Sequence, residues 1–499
     1  MHFSIPETVA QPDDKGGAYT CYRLHINGVY HCLVRYRQLH TLHLALRREF
    51  AAPSLPAFPP KKLFQLTEGQ VEERRLMLEK YLQVVSQDPR ISNSQTFNTF
   101  LLAAQQETRR ERSENVTLDV FLMNEHKVRV ISHLKTDLFV AAQVSVMILT
   151  VEQTDAVLEQ VCKELNIPDE LVYCFSLFLI RRDEDGDITI VRKLQDFESP
   201  YISQKALSAM ETSDNTGFAG PLKIVLRKSS WDASVDDRLL AEQPTLNLLF
   251  IQTVVDMERG WVLPSADTRQ QLALMQARGA KRQYMEVART LPFYGFLVFR
   301  PCITDHPEEH TQVTVSLGRA TLNMRLHTPS GETREVSFKV TRMRCWRIMT
   351  ASESRDQASI GLLRPEHSRL ELSFEYLVTT DRLEWITIVS HQAILMSMCL
   401  QSMVEELVRI RGGESEPARV TRCAAKRQLG TRVTIAEDQS PEVDEGCTGP
   451  VDYTVRKLAE RFSVVNMMAT SRAAEDVFVE NEIFNSVAET EAEDVAETR

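Results

Sequence analysis

YTCYRLHINGVYHCLVRYRQL, residues 19–39, alternates apolar and polar positions on both sides of Asn27-Gly28. An Asn-Gly pair between two alternating runs predicts a β-hairpin, because its two-residue turn needs positive φ at both central positions. Outward from it, QLHTLHLALRREF (38–50) has helical spacing, and PSLPAFPPKK (53–62) is a proline-rich loop. Thr67 and Gln70 form a capping box. It opens a helix through VEERRLMLEKYLQVV (71–85), with Val71, Leu78, Leu82 and Val85 on one face and Asp88-Pro89 as its stop. Ser94 begins a short helix whose Phe97, Phe100 and Leu101 pack back, and QQETRRERSEN (105–115) reads as a polar linker. The first 108 residues are therefore expected to form an α+β domain.

Beyond the linker, VTLDVFLMNEHKVRVIS (116–132) reads as two strands and EQTDAVLEQVCKELN (152–166) as a helix. YCFSLFLIRR (173–182) and ITIVRKL (188–194) read as strands around Asp185-Gly186. This β-β-α-β-β order suggests a ubiquitin-like lobe over 115–228. Residues 240–300 are mainly helical. From 301 to 411 the pattern turns to strands, among them EVSFKVTRMRCWRI (335–348), closed by the apolar-striped helix HQAILMSMCLQSMVEELVRI (391–410). A sheet capped by one C-terminal helix suggests a pleckstrin-homology or phosphotyrosine-binding (PTB) shell. Residues 412–499 are polar and weakly patterned and read as mostly disordered.

The 499 residues exceed one core and suit two to four units. A net charge of −11 means that any attraction to an anionic surface comes from a local basic patch. Nine scattered cysteines without a CxxC read as reduced thiols of a cytosolic protein. The start MHFSIPETVAQPDD lacks the basic and apolar regions of a signal peptide. No apolar run reaches membrane-spanning length, so membrane contact is expected to be peripheral.

Enzyme classes find no support. There is no phosphate-cradling glycine loop, no GxSxG and no sign of a cofactor. His306-Pro-Glu-Glu-His310 is not HExxH, DEDGD (183–187) lacks the Glu that closes a calcium loop, and His40 and His43 read as surface histidines rather than metal ligands. No basic stripe with interleaved aromatics points to nucleic acid.

What remains are basic clusters in the first domain: Arg35 at a strand end, Lys61 and Lys62 after the proline loop, and Arg74-Arg75 in the capped helix. A phosphorylated inositol takes charge-assisted bonds from such groups, and a tyrosine ring can cover its sugar face. Leu63 and Phe64 follow the lysines and can wedge into lipid. Near the other end, strand 336–348 carries Trp346, and the last helix carries Leu400, Met403, Val404, Leu407 and Val408 at helical spacing. A sheet edge beside an apolar helix can hold an extended peptide by strand addition.

RYxxL, LPAFPPKK and EERRLMLEKYL resemble the PX domain. Together with YCFSLFLIR, VRKLQDFE, MERGW, RMRCWR, DRLEW and CLQSMVEEL they resemble the sorting nexins that join a PX domain to a FERM-like domain. The resemblance implies a non-enzymatic adaptor on early endosomes. It implies that Arg35 binds the 3-phosphate of phosphatidylinositol 3-phosphate, Tyr36 stacks on the inositol, Lys61 meets the 1-phosphate with Lys62 beside it, and Arg74 bonds the far hydroxyls. It implies that NPxY or NxxY motifs of receptor tails, such as those of integrins and lipoprotein receptors, lie against Trp346, Val404 and Val408, with Arg344 assisting. The rival reading is a lipid-docked scaffold whose ubiquitin-like lobe binds a small GTPase through Arg181, Arg182, Arg192 and Lys193.

Four departures from the family pattern stand out. Arg37 replaces a Ser after Arg-Tyr, and Val408 stands where a Met is expected. ISHLKTDLFVAAQVSVM (131–147) adds roughly sixteen residues to a lobe with normally short connections, read as an insertion or as sequence foreign to the lobe. The family's tail recruits the retriever part of the Commander machinery through a terminal leucine, whereas this chain ends AETEAEDVAETR.

Overall fold

A computed structural model describes residues 2–12, 17–50, 55–62, 66–123, 143–182, 188–213, 221–327, 333–350, 370–379, 382–412 and 477–480. The expected membrane wedge Leu63-Phe64 and the DEDGD turn lie outside these residues.

The N-terminal domain is a sheet of β1 (Phe3–Ser4), β2 (Thr8–Pro12), β3 (Ala18–Ile26) and β4 (Val29–Arg35). β1 and β2 pair in turn along one edge of β3, and β4 takes the other. Asn27 and Gly28, with φ of 51° and 78°, make the β3–β4 turn. Four helices follow: α1 (Tyr36–Glu49), α2 (Glu68–Gln87), α3 (Pro89–Ser92) and α4 (Gln95–Arg109). The capping box is formed: Thr67 Oγ1 accepts from Gln70 N–H at 3.4 Å, and Gln70 Oε1 accepts from Thr67 N–H at 3.2 Å. Ser94 caps α4 with a single bond, its Oγ accepting from Phe97 N–H at 3.2 Å. α4 runs on to Arg109, so the first half of the expected linker is helix; Ala104 and Gln105 within it are buried. The core is Tyr22, Leu24, Val34, Leu39, Leu42, Leu46, Leu78, Leu82, Phe97 and Leu101 with their neighbours.

The next lobe comprises β5 (Asn115–Phe121), β6 (Gln143–Leu149), α5 (Thr154–Glu164), β7 (Phe175–Arg182), β8 (Ile188–Lys193), α6 (Pro200–Ser213) and β9 (Lys223–Lys228). Its sheet order is β6-β5-β9-β7-β8, with β5 and β9 parallel, the ubiquitin-like arrangement. The partner of β5 is Gln143–Leu149, registered from Asn115↔Leu149 to Phe121↔Gln143. That corrects the expected hairpin partner at 128–132, which lies outside the described residues together with the rest of 124–142. Both stretches alternate in the same way, so pattern could not choose between them. α6 and β9 were also missing from the expected order.

Helices α7 (Ser234–Ala241), α8 (Gln243–Glu258), α9 (Ala266–Ala277) and α10 (Lys281–Ala288) form the helical lobe. α8 is buried continuously from Thr245 to Asp256, as expected of a helix apolar on most sides. The last lobe is built from β10 (Leu297–Val298), β11 (Cys302–Thr304), β12 (Thr311–Gly318), β13 (Thr321–His327), β14 (Thr333–Lys339), β15 (Met343–Thr350), β16 (Leu370–Thr379), β17 (Arg382–Val389) and α11 (Ala393–Arg411). The tail expectation needs a second correction: Val477–Glu480, within the segment read as disordered, forms β18 and pairs with β15.

Side-chain contacts tie these parts together. Gln105 of α4 donates to Ser203 Oγ at 3.0 Å and accepts from Ser199 N–H at 2.9 Å. Arg227 of β9 makes two 2.9 Å bonds to Asp256 of α8, with both side chains buried. Glu406 of α11 accepts from Ser230 Oγ and from the backbone N–H groups of Trp231 and Asp232. Each of these charges needs its partner, since a buried lone charge is costly.

Candidate functional site: a basic headgroup cradle and a sheet-edge groove

β4 ends on Arg35, and α1 begins at Tyr36, so strand and helix deliver the two residues side by side at the helix N-terminus. Arg35 is exposed. Its N–H donates to Gln38 Oε1 at 2.7 Å, and Gln38 Nε2 donates to Glu107 Oε2 of α4 at 2.7 Å. Tyr36 Oη donates to Pro59 O at 2.8 Å, tying α1 to the proline loop. The loop is anchored by Phe58, whose ring stacks on His43 at 4.9 Å and meets Tyr81 edge-on at 4.9 Å. His43 Nδ1 and Tyr81 Oη are 2.9 Å apart, so His43 belongs to this cage. His40 stacks on Tyr36 and meets Phe58 edge-on. Among the described residues no group of three or more His, Cys, Asp or Glu is placed to hold a metal.

Arg74 and Arg75 part company in three dimensions. The Arg74 guanidinium lies 4.3 Å from the Tyr36 ring centre, and its Nη2 donates to Pro60 O at 3.4 Å. Burial raises the pKa of the Tyr22 phenol, and the Arg74 charge partly offsets that. Arg75 instead turns inward, donating to Ile5 O and pairing with Glu72 at 2.7 Å and Glu79 at 3.5 Å. Lys61 is exposed beside Pro60, and Lys62 sits 3.8 Å from Glu73. Arg74 thus sits over Tyr36 beside the proline loop that leads into Lys61, with Arg35 the residue before Tyr36, while Arg75 braces the segment after β1 against α2. A further aromatic went unnoticed in the sequence: the Arg35 guanidinium carbon lies 3.2 Å from the Tyr19 ring centre.

The groove residues divide differently from expectation. Trp346 is wholly buried, its Nε1 donating to Ser397 Oγ of α11 at 3.0 Å. Leu400, Met403 and Val404 are buried in the same core, and Leu407 is partly buried against it. Val408 is 38 % exposed. Arg344 pairs with Glu375 and keeps 49 % of its side chain exposed. Of the expected peptide-contact residues, Trp346 and Val404 are thus buried, and Val408 and Arg344 are the exposed members. Along β15 the strand edge is already taken, with Cys345↔Glu480, Trp346↔Val479, Arg347↔Phe478 and Ile348↔Val477 in antiparallel register. A peptide added to this edge must replace β18, because each backbone edge accepts one strand. The signal missed in the sequence is the β-prone VFVE (477–480), followed by NEIF (481–484), which has the Asn-x-x-aromatic spacing.

Among the described residues no helix is long and apolar enough to cross a membrane. Four family models match the chain: the PX domain over 22–104, the F1 lobe of the FERM domain of sorting nexins 17, 27 and 31 over 132–231, the F2 lobe of sorting nexins 17 and 31 over 232–292, and the sorting nexin 17 FERM C-terminal domain over 295–408. Sorting nexin-17 of Homo sapiens is 45% identical over 489 residues, covering 96% of this chain and 97% of that protein. Sorting nexin-17 of Danio rerio is 42% identical over 488 residues, covering 96% of each. Sorting nexin-31 of Homo sapiens is 34% identical over 417 residues, covering 83% of this chain and 88% of that protein. Every matched module is a PX or FERM element. It belongs to the PX-FERM sorting nexins, alongside sorting nexins 17 and 31.

Proposed function

We propose that the protein is an endosomal sorting adaptor. It docks on phosphatidylinositol 3-phosphate membranes through Arg35, Tyr36, Lys61, Lys62 and Arg74, and holds NPxY or NxxY tails of receptors such as integrins and lipoprotein receptors. The observation that carries the lipid half is Arg74 lying over the Tyr36 ring, with Tyr36 tied to the proline loop that Phe58 pins and Lys61 ends, and with exposed Arg35 the residue before Tyr36. Three cations with an aromatic floor suit a phosphorylated sugar. The peptide half rests on the β15 edge, which accepts an added strand beside α11. Lipid and peptide contacts on one chain reinforce each other, because the first raises the local concentration for the second.

The GTPase-scaffold reading has less support. Arg192 is committed to Glu198 through bonds of 2.6 and 2.7 Å, and Arg181 is buried.

The test is co-sedimentation of the full chain with phosphatidylcholine vesicles containing or lacking phosphatidylinositol 3-phosphate. Arg35→Gln and Arg74→Gln are expected to abolish lipid-dependent binding. Arg75→Gln is expected to lower stability and spare binding of the folded fraction. Binding by Arg35→Gln equal to the parent sinks the lipid half of the reading.

A further inference from the structure

Tyr19 has no role in the cradle as described, yet its ring contacts Arg35 directly. The contact follows from the sheet register. Cys21 lies opposite Arg35 in the β3–β4 pairing, and Tyr19 sits two residues earlier on the same face of β3, just past the end of β4. That brings the Tyr19 ring under the Arg35 guanidinium, 3.2 Å from ring centre to guanidinium carbon. The other side of Arg35 is held through its main chain by Gln38, itself bonded to Glu107. Tyr19 is only partly buried, so the stack opens on solvent rather than closing into the core.

All five donors of a guanidinium lie in its plane. Stacking uses the face and leaves the in-plane fork free to bind a phosphate with two parallel bonds. An unstacked arginine sweeps a wide arc on its flexible stem, and can meet phosphates at neighbouring ring positions by small rotations. A stacked one presents its fork in one direction. We propose that Tyr19 is a positioning and selectivity residue of the headgroup site, aiming the Arg35 fork at one phosphate of the inositol ring so that the 3-phosphate is preferred over the 4- and 5-isomers. The inference rests on the lipid-binding reading above and adds to it the source of isomer choice. Arg37, one residue into α1 and exposed, adds charge but is not part of the stack.

The experiment compares the full chain with Tyr19→Phe and Tyr19→Leu. Binding is measured to vesicles of identical composition that carry the same small fraction of phosphatidylinositol 3-, 4- or 5-phosphate, and each variant is checked by thermal melting. Tyr19→Phe keeps the ring and is expected to match the parent in both affinity and preference. Tyr19→Leu is expected to bind the 3-phosphate about fivefold more weakly, the scale of one exposed cation–ring contact. Its binding to the other isomers should change little, so the preference falls by about the same factor. Tyr19→Thr, a strand-compatible residue without a ring, gives the same reading if Tyr19→Leu melts early. Equal weakening toward all three isomers, or a Tyr19→Phe as poor as Tyr19→Leu, overturns the proposal. If the parent chain itself binds none of the vesicles, the lipid reading fails first and this inference falls with it.

Discussion

Replacing Phe478 and Val479 together by proline removes two consecutive backbone N–H groups of β18. Successive N–H groups of a strand point to opposite edges, so one of the two faces β15 whichever register parity holds. The strand is paired over four residues. Four antiparallel residue pairs carry about four hydrogen bonds, each worth about 1 kcal/mol net, or about 4 kcal/mol together. Holding β18 in place closes the connection between Gly412 and Val477. By the (3/2)RT ln n rule that closure costs about 4 kcal/mol for such a length. The two nearly cancel, so a net balance of 0 to about 1 kcal/mol in favour of pairing leaves the edge occupied roughly half to nine-tenths of the time. Apparent affinity for a competing peptide scales with the free fraction. The proline pair should therefore tighten binding of an NPxY receptor-tail peptide by about two- to tenfold, read by isothermal titration calorimetry on the full chain. Unchanged or weaker binding by a folded variant would refute the argument that tail and peptide share the β15 edge.

Other perturbations separate structural from binding roles. Trp346→Ala empties a buried site and orphans Ser397, so a loss of about 3–5 kcal/mol in urea unfolding is expected. Val408→Asp, on an exposed position, should leave stability within about 0.5 kcal/mol yet abolish peptide binding; normal binding places the peptide away from the end of α11. Asp256→Ala strands the buried Arg227 guanidinium and should cost about 3–5 kcal/mol, measurable as an earlier unfolding transition. The N-terminal domain should also weaken in acid. His2 and His25 are pushed down to about 4, chiefly by burial, and burial lowers His31 as well. An unfolded histidine titrates near 6.5, so in the window between about 6.5 and 4 the unfolded chain holds protons that the folded one does not. The stability from these groups is complete above that window. It falls as pH drops through it, by up to about 1.4 kcal/mol per pH unit for each histidine. Glu79, raised by burial, opposes the trend at the lower end. Denaturant midpoints across the window, with and without His25→Gln, test this; a flat profile for the parent speaks against it.

Local chemistry was legible in the sequence wherever a few neighbouring residues settle the outcome. Asn27-Gly28 announced its hairpin because both residues accept positive φ, and Thr67 with Gln70 announced a helix start because a side chain three residues on satisfies the cap. The lipid-site candidates Arg35, Tyr36 and Lys61 were readable for the same reason: they sit at element ends that flank a proline loop. The motifs along the chain also carried the family, whose models cover most of it.

Contacts between distant segments were not legible, because alternation states a preference for pairing without naming the partner. Two alternating stretches competed to pair with β5, and the choice of Gln143–Leu149 depends on the whole sheet. Arg74 and Arg75 are adjacent and chemically alike. Ile5 O, just after β1 and seventy residues earlier in the chain, draws one inward while the other stays over Tyr36. Trp346 reads as a groove residue until α11 is seen to cover that face of β15 and supply Ser397. The Tyr19–Arg35 stack requires the β3–β4 register, and β18 requires an edge about 130 residues away. From the sequence alone came the order of the PX and FERM-like modules and the residue types at the two candidate sites. Tertiary structure decided which side chain is exposed and which faces core, because burial and strand pairing depend on what else reaches the same surface.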